Sequence, residues 1–155
     1  MLNRLLTCLF VIFLICTSLP SPLTAETSNL AIMAPCPTTP NCVVSKGADT
    51  EHQIEPLAYV GDRNTAYANL LKVLTVVPRT VVTDKTDTYI RAESTSRIFH
   101  FVDDLEFYFP TDEKLIQVRS AARVGESDLG VNRRRLEQIR LALKDLGTHK
   151  LPAKM

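Results

Sequence analysis

Hydrophobic side chains recur every three or four residues in two separate stretches of the chain. This spacing places them on one stripe of an α-helix. The first stripe consists of Ala66, Leu70, Val73, Leu74 and Val77, and the second of Leu136, Ile139, Leu143 and Leu146. Asp62 or Asn64 can cap the first helix, and Pro78 ends it. The second helix is predicted to begin near Asp128 and to end at Gly147.

The segment between the two predicted helices is rich in β-branched and aromatic residues, which favour strands. Four strands are predicted, over residues 79–86, 88–95, 98–109 and 115–124. Because the connections between them are short, the strands should form an antiparallel sheet with both helices packed on one face. The sequence therefore predicts an α+β domain at residues 62–147 with the element order α-β-β-β-β-α.

The segment before this domain has a different character. Residues 26–61 show little hydrophobic periodicity and are rich in proline, threonine, serine and asparagine, which is typical of an irregular arm. Ile54 and Leu57 could hold this arm against the core. His52 is expected to be a surface or capping residue. At the other end of the chain, residues 148–155 are expected to form a short tail.

The first residues have the pattern of an export signal. Arg4 supplies a positive start, and residues 5–16 form a mostly apolar run of 12 residues. This run is shorter than the roughly 20 residues of a membrane-spanning helix. We therefore expect a signal peptide at residues 1–25, cleaved after Ala25, and a location in the periplasm, in the thylakoid lumen or outside the cell. Two alternatives are an uncleaved leader that anchors the chain and lipidation at Cys16, which the bulky preceding residue disfavours.

The overall charge favours no class of highly charged partner. The chain of 155 residues has a formal net charge of +1, and removal of the leader, whose only charged residue is Arg4, would bring it to zero. We therefore expect no binding of nucleic acid, and membrane contact only through an uncleaved leader. The expected partner is an envelope or lumenal protein or a small anion.

Two cysteines follow the leader, Cys36 and Cys42. In an oxidising compartment, a pair that closes so short a loop is most simply a disulfide. A redox pair is an alternative, but the spacing lacks the Cys-x-x-Cys pattern of such sites. A two-cysteine metal site is a further alternative, which no second pair of ligands supports.

Charged residues alternate with other side chains on the last two predicted strands. Because successive side chains point to opposite faces of a strand, Asp104 and Glu106 should share one sheet face with Arg119 and Arg123. This face could consist only of structural cross-strand ion pairs, or it could be a polar binding site. Asp104 and Glu106 could also share a calcium ion, although the arginines would compete for both carboxylates.

Asp103 is expected on the opposite, hydrophobic face of its strand. That face consists of Phe101, Leu105, Phe107 and Phe109. A carboxylate buried there needs a partner, because an unpaired buried charge is costly. We expect Asp103 to be structural and to pair with Arg133 of the final helix, with Arg134 and Arg135 as poorer candidates.

The loop before the final helix carries a second set of candidate binding groups. Its glycines allow tight turns, and free backbone N–H groups at a helix start can receive an anion. The candidate residues here are Ser127, Asp128, Asn132 and Arg133. Three consecutive arginines, residues 133–135, span about 200° of helix, so they cannot all reach one ligand and at least one should be solvated.

Four motifs in the sequence resemble the domain-of-unknown-function 1499 family. They are Cys-Pro-x-x-Pro-Asn-Cys-Val at 36–43, His52-x-Ile54-x-Pro56-Leu57, and the stretches 101–107 and 118–133. The resemblance covers about residues 36–147 and departs at Ala122, where family members often carry serine. It implies an exported bacterial or plastid protein. It supplies no catalytic residues, because the family has no assigned activity.

Two functions are compatible with these residues. The first is a non-enzymatic accessory or binding domain that holds an anionic ligand or a partner protein with the arginine-rich sheet face and loop. The second is a small hydrolytic or metal-dependent enzyme that uses Asp103, Asp104, Glu106 and Asp128. Because no hydrolase or metalloenzyme motif is present, we expect the binding function, with no catalytic residues, cofactor or metal. Acids in a closed pocket without arginine partners would instead favour the enzyme.

Overall fold

The computed structural model of the protein describes residues 33–147. The predicted signal peptide with its cleavage site, and the predicted tail, lie outside the described residues. The elements are, in chain order, strands β1 (Cys42–Val44) and β2 (Leu57–Ala58), helix α1 (Arg63–Val76), strands β3 (Thr80–Lys85), β4 (Tyr89–Thr95), β5 (Val102–Tyr108) and β6 (Leu115–Ala122), and helix α2 (Val131–Asp145). None of the helices in this part of the chain is long and apolar enough to cross a membrane.

The fold is α+β, as predicted, but its sheet has six strands rather than four. The strand order is β1-β6-β5-β4-β3, β2 also pairs with β6, and all these pairings are antiparallel. The predicted order α-β-β-β-β-α is therefore wrong, because two strands precede the first helix. Helix α1 packs against β3 and α2 packs against β6 and β1, and the helices contact each other, so both cover one face of the sheet.

The two additional strands lie in the segment predicted to be an irregular arm. β1 has three residues and β2 has two, and both pair with β6, at opposite ends of that strand. Strands this short contain less than two full periods of side-chain alternation, so no pattern in the sequence could mark them. Their stability comes from pairing with β6.

The helix boundaries follow local chemistry. Asp62 caps α1 by accepting a hydrogen bond from the Thr65 backbone N–H at 2.8 Å, and the helix ends at Val76, before the proline that was expected to stop it. Helix α2 begins at Val131, later than predicted, because the preceding Gly130 adopts a left-handed conformation with φ of 75°. Gly147, also with positive φ, directly follows the residue that caps the end of α2.

The core lies between the helices and the inner face of the sheet. It includes the fully buried side chains Leu70, Leu74, Leu105, Phe107, Phe109, Ile116, Leu136 and Ile139. Phe101, which was predicted to share this face, is half exposed, because β5 begins only at Val102. The preceding His100 has φ of 55°, a left-handed turn that ends the connecting loop.

The predicted disulfide between Cys36 and Cys42 is present, with the two Cα atoms 5.6 Å apart. The bridged loop lies beside the end of β6, because Cys42 pairs with Ala121. The Asn41 side chain also donates to the Gly125 carbonyl at 2.5 Å. The disulfide therefore fastens the start of the arm to the end of the sheet where β6 leads into α2.

Two arginines of α2 hold the rest of the arm. Arg133 donates to the carbonyls of Glu51 and Gln53, both at 2.7 Å. Arg140, two helical turns further on, donates to the carbonyls of Glu55 and Pro56 at 2.6 and 2.8 Å. The arm is thus a packed part of the domain, and Arg133 is engaged with it instead of being free for a ligand.

His52 lies inside the arm rather than on its surface. Its side chain is buried and bridges Asp49, through Nδ1 at 2.8 Å, and the Thr39 carbonyl, through Nε2 at 3.2 Å. The hydrogen bond to Asp49 raises the pKa of His52. The histidine therefore ties the turn at Asp49 to the disulfide loop, which is a structural role.

Candidate functional site

The four candidate residues on the sheet share the outer face, as predicted. Arg119 donates to Glu106 at 2.8 Å, and Arg123 donates to Asp104 at 2.8 and 2.9 Å. Arg91 on β4 also donates to Asp104, at 2.9 Å, and Arg123 reaches Glu93. Positive and negative side chains thus neutralise one another across three strands, and this face presents no excess of either charge. A binding role for these residues stays a prediction.

The arginines stabilise the ionised form of Asp104. Hydrogen bonds from Arg123, and then from Arg91, lower the pKa of Asp104 to about 2. The same contacts raise the pKa of Arg123. The Asp104 side chain is mostly buried, whereas Arg91 and Arg123 are 46% and 40% exposed, so solvent screens part of the attraction.

Low pH should therefore lower the free energy of unfolding, because it protonates Asp104 and removes the attraction to its arginines. Because the folded-state pKa lies below the usual 3.8, the stabilisation is complete above about pH 4 and is lost as the pH falls toward 2. After allowance for screening we expect a loss of about 1 kcal/mol. Urea unfolding at pH 5 and at pH 2 should show that Asp104→Asn is less stable than the wild type only at pH 5. An equal difference at both pH values would contradict this assignment.

The candidate loop residues do not join the sheet residues in one site. Asp128 accepts hydrogen bonds from the backbone N–H groups of Gly130 at 2.8 Å and Asn132 at 2.7 Å. Ser127 accepts from the Leu129 N–H at 3.3 Å. The amides that were expected to receive an anion are therefore occupied by the chain's own side chains, and Arg133 faces the arm.

Asn132 is fully buried at the centre of a polar network. Its Oδ1 accepts from the Ser120 hydroxyl at 2.5 Å and from Arg135 at 2.9 Å, and its Nδ2 donates to the Asn41 carbonyl at 3.0 Å. This one side chain connects α2 with β6 and with the disulfide loop. Its position is structural and it does not contact solvent.

Asp103 joins the same network through Arg135, which donates to its carboxylate at 2.6 Å. The expected pairing with Arg133 is wrong. Residues 133 and 135 lie about 200° apart around a helix, so when one faces the arm the other faces the sheet. The expectation that one of the three arginines is only solvated is also wrong, because each of them donates a hydrogen bond to the protein.

A pocket of about 330 Å³ opens beside this network, between the first turns of α2, the C-terminal end of β4 and the N-terminal end of β5. We call it the arginine pocket. Its lining includes four arginines, a single carboxylate and three hydroxyl side chains: Arg79, Arg97, Arg134, Arg135, Asp103, Ser94, Thr95 and Ser96. The carboxylate is already paired with Arg135, so the other three arginines give the lining an excess positive charge of three.

These three arginines make no ion pair among the described residues. Arg79 donates its Nε to the Thr95 carbonyl at 2.9 Å, and Arg134 donates Nη1 to the Leu129 carbonyl at 2.7 Å. Each contact uses one N–H group and orients the guanidinium, which leaves its other donors available. Arg97 is exposed on the loop between β4 and β5.

Unusual backbone conformations surround the arginine pocket. Among the described residues, positive φ angles occur at three residues other than glycine, namely Arg79, His100 and Leu129. They lie in the three connections at this end of the sheet, before β3, before β5 and before α2. Such conformations cost about 1 kcal/mol or more each and cluster at functional sites. This end of the sheet is therefore the stronger candidate for function.

A larger cavity of about 550 Å³ lies at the opposite end of the sheet, at the β3–β4 turn. Its lining contains two cations, Arg63 and Lys85, and one acid, Asp87. The lining of this cavity therefore has an excess positive charge of only one, compared with three for the arginine pocket. Size alone does not make it the better site for an anion.

The acids proposed for an enzyme are occupied. Asp103, Asp104 and Glu106 each pair with an arginine, and Asp128 accepts from backbone amides. Across residues 33–147, no group of three histidine, cysteine, aspartate or glutamate side chains could hold a metal ion.

Sequence reasoning did not find the arginine pocket. Arg79 and Arg97 lie in two separate connections and Arg134 lies in the first turn of α2, and only the tertiary fold brings the three to one cavity. Two weak signals were present: the unfavourable run of arginines at a helix start, and Arg79 directly after a proline that ends a helix.

The fold and the pocket define a small α+β domain, with an antiparallel sheet, two helices on one face and a cationic cavity at one end. The sequence profile of the family described as Protein of unknown function (DUF1499) matches residues 32–143, and the chain belongs to this family. Comparisons with curated proteins and with solved structures gave no match.

Proposed function

We propose that the protein is a binding domain that holds a small anionic ligand, with phosphate or carboxylate groups, in the arginine pocket. One observation carries the proposal: three arginines without acidic partners among the described residues line one cavity. Arginine is suited to this role because its planar guanidinium donates two parallel hydrogen bonds to a phosphate or carboxylate. An anionic group would also offset the mutual repulsion of the arginines.

The state of the acids supports binding over hydrolysis. A general base or metal ligand needs a free carboxylate, whereas Asp103, Asp104 and Glu106 are each held by arginine. The proposed site differs from the sheet face and loop that the sequence indicated, but the proposed ligand class is the same. Export, a periplasmic or lumenal location and an accessory role for a partner protein stay proposals.

Arg97→Gln should weaken anion binding without affecting the fold, because Arg97 is exposed and makes no ion pair among the described residues. Loss of one charge-assisted hydrogen bond in a half-open pocket corresponds to about a tenfold rise in Kd. Titration with inorganic phosphate and with citrate, followed by backbone amide chemical shifts, measures this effect. We expect the largest shifts at Thr95, Ser96 and Arg134.

Arg63→Gln is the matched control. It removes the same charge from the cavity at the opposite end of the sheet. Unchanged Kd in this variant, together with weakened binding in Arg97→Gln, would support the arginine pocket. The opposite result would place the anion in the larger cavity, and absence of saturable binding by both anions would overturn the proposal.

A further inference from the structure

Exposed hydrophobic side chains lie in two loops that adjoin the residues lining the arginine pocket. The loop between β4 and β5 presents Ile98 and Phe99, which are 74% and 72% exposed, and the half-exposed Phe101. Leu129, in the loop before α2, is 83% exposed, and Val131 lines the pocket itself. Exposure of several large apolar groups at one end of a small domain is unusual and marks an interaction site.

The β4–β5 loop is a folded projection with its own internal contacts. The Ser96 N–H donates to the Phe101 carbonyl at 2.8 Å, and the Phe101 N–H donates back to the Ser96 hydroxyl at 2.9 Å. The rings of Phe99 and Phe101 stack with centroids 5.5 Å apart. Ser96 and Arg97 at its base line the pocket, so one loop carries both the apolar tip and part of the cationic cavity.

We propose that this end of the domain docks on a bilayer that contains anionic lipids. The apolar tip enters the interfacial region, and the phosphate of a lipid headgroup occupies the arginine pocket. The inference rests on the proposed anion-binding function and names the source of the anion. Apolar side chains flanked by arginines are the combination that binds anionic membrane surfaces, because the chains bury apolar area while the cations meet the lipid charge.

One observation favours a membrane over a protein partner. The exposed apolar residues lie in two loops, where they can enter an interface one by one, rather than on a flat sheet or helix face.

Two nearby charges oppose the attraction. Glu126 is exposed in the loop before α2, and Asp128 of the same loop is partly exposed and has no cationic partner among the described residues. The three arginines without acidic partners among the described residues outweigh these two carboxylates. We therefore expect binding that needs both the apolar tip and the arginines, and that weakens as salt is added.

The full-length chain contains no tryptophan, so Phe99→Trp creates a single fluorescent reporter at the loop tip. Vesicles of equal parts phosphatidylglycerol and phosphatidylcholine should shift its emission to shorter wavelength, whereas pure phosphatidylcholine should not. Val60→Trp is the control, because Val60 is also exposed but lies between β2 and α1, at the opposite end of the sheet. Its emission should stay unchanged even if a retained leader binds the vesicles.

In the Phe99→Trp background, Arg97→Gln should raise the lipid concentration that gives half of the maximal emission shift about fivefold. No shift with anionic vesicles would overturn membrane docking, and retained binding of phosphate or citrate would then leave the proposed function intact. A shift that is equal with neutral vesicles and unaffected by Arg97→Gln would overturn the headgroup assignment. A shift produced only by lipid-free envelope proteins would indicate a protein partner and also overturn the proposal.

Discussion

Asp103→Ala should lower the free energy of unfolding by about 3–5 kcal/mol, because it leaves the charge of Arg135 buried without its partner. The two side chains are only 9% and 11% exposed, and their contact is 2.6 Å. A guanidinium in that position cannot regain full hydration, so the loss exceeds the value of an exposed ion pair. Urea unfolding of the purified protein at neutral pH measures the change.

Asp104→Ala is the matched comparison for Asp103→Ala, since it removes the neighbouring carboxylate from the opposite sheet face. We expect a cost of about 1 kcal/mol, because its arginine partners are half exposed and can be rehydrated. Combining Asp103→Ala with Arg135→Met should restore part of the lost stability, since no charge is then stranded. Equal effects of the two alanine variants would contradict a structural role specific to Asp103.

The sequence predicted the regular part of the fold because that part repeats a pattern. Helix α1 and strands β3, β4 and β6 lie within about two residues of the predicted positions, as alternation or helical spacing continues over several periods. The start of β5 was misplaced because Ile98 and Phe99 look like strand residues but lie in an exposed loop. Local propensity cannot show whether an apolar residue is buried, which depends on tertiary packing.

The candidate site was harder to predict for the same reason. The common sheet face of Glu106 and Arg119 follows from strand alternation and was predicted, and the structure pairs the two side chains across β5 and β6. The hydrophobic stripe of α2 places Arg133 and Arg135 on opposite flanks of the helix. Which flank faces β5 and which faces the arm depends on how the helix lies across the sheet, and that arrangement is not encoded in the stripe.

The motifs that carry the family resemblance meet mainly in the buried network rather than in the arginine pocket. Asn41, Asp103, Ser120 and Asn132 come from three of these motifs and are joined directly or through Arg135. By contrast, Arg79, Arg97 and Arg134 lie outside all four motifs. The motifs thus describe how the arm, sheet and second helix are locked together, and this scaffold positions the loops that carry the pocket.

Asn132→Leu should therefore be strongly destabilising although it preserves side-chain size. The substitution leaves the Ser120 hydroxyl and one N–H of Arg135 without their acceptor, and the Asn41 carbonyl without one of its donors. Each buried polar group that loses its partner costs about 1–3 kcal/mol, so we expect a total loss of roughly 2–4 kcal/mol in urea unfolding.

Asn64→Leu, at an exposed position in the first turn of α1, is the control and should change stability by less than about 0.5 kcal/mol. Adding Ser120→Ala to Asn132→Leu should cost less than Ser120→Ala alone, because the hydroxyl it removes has already lost its acceptor. Additive effects of these two substitutions, or a loss near that of Asn64→Leu, would show that Asn132 does not hold the network together.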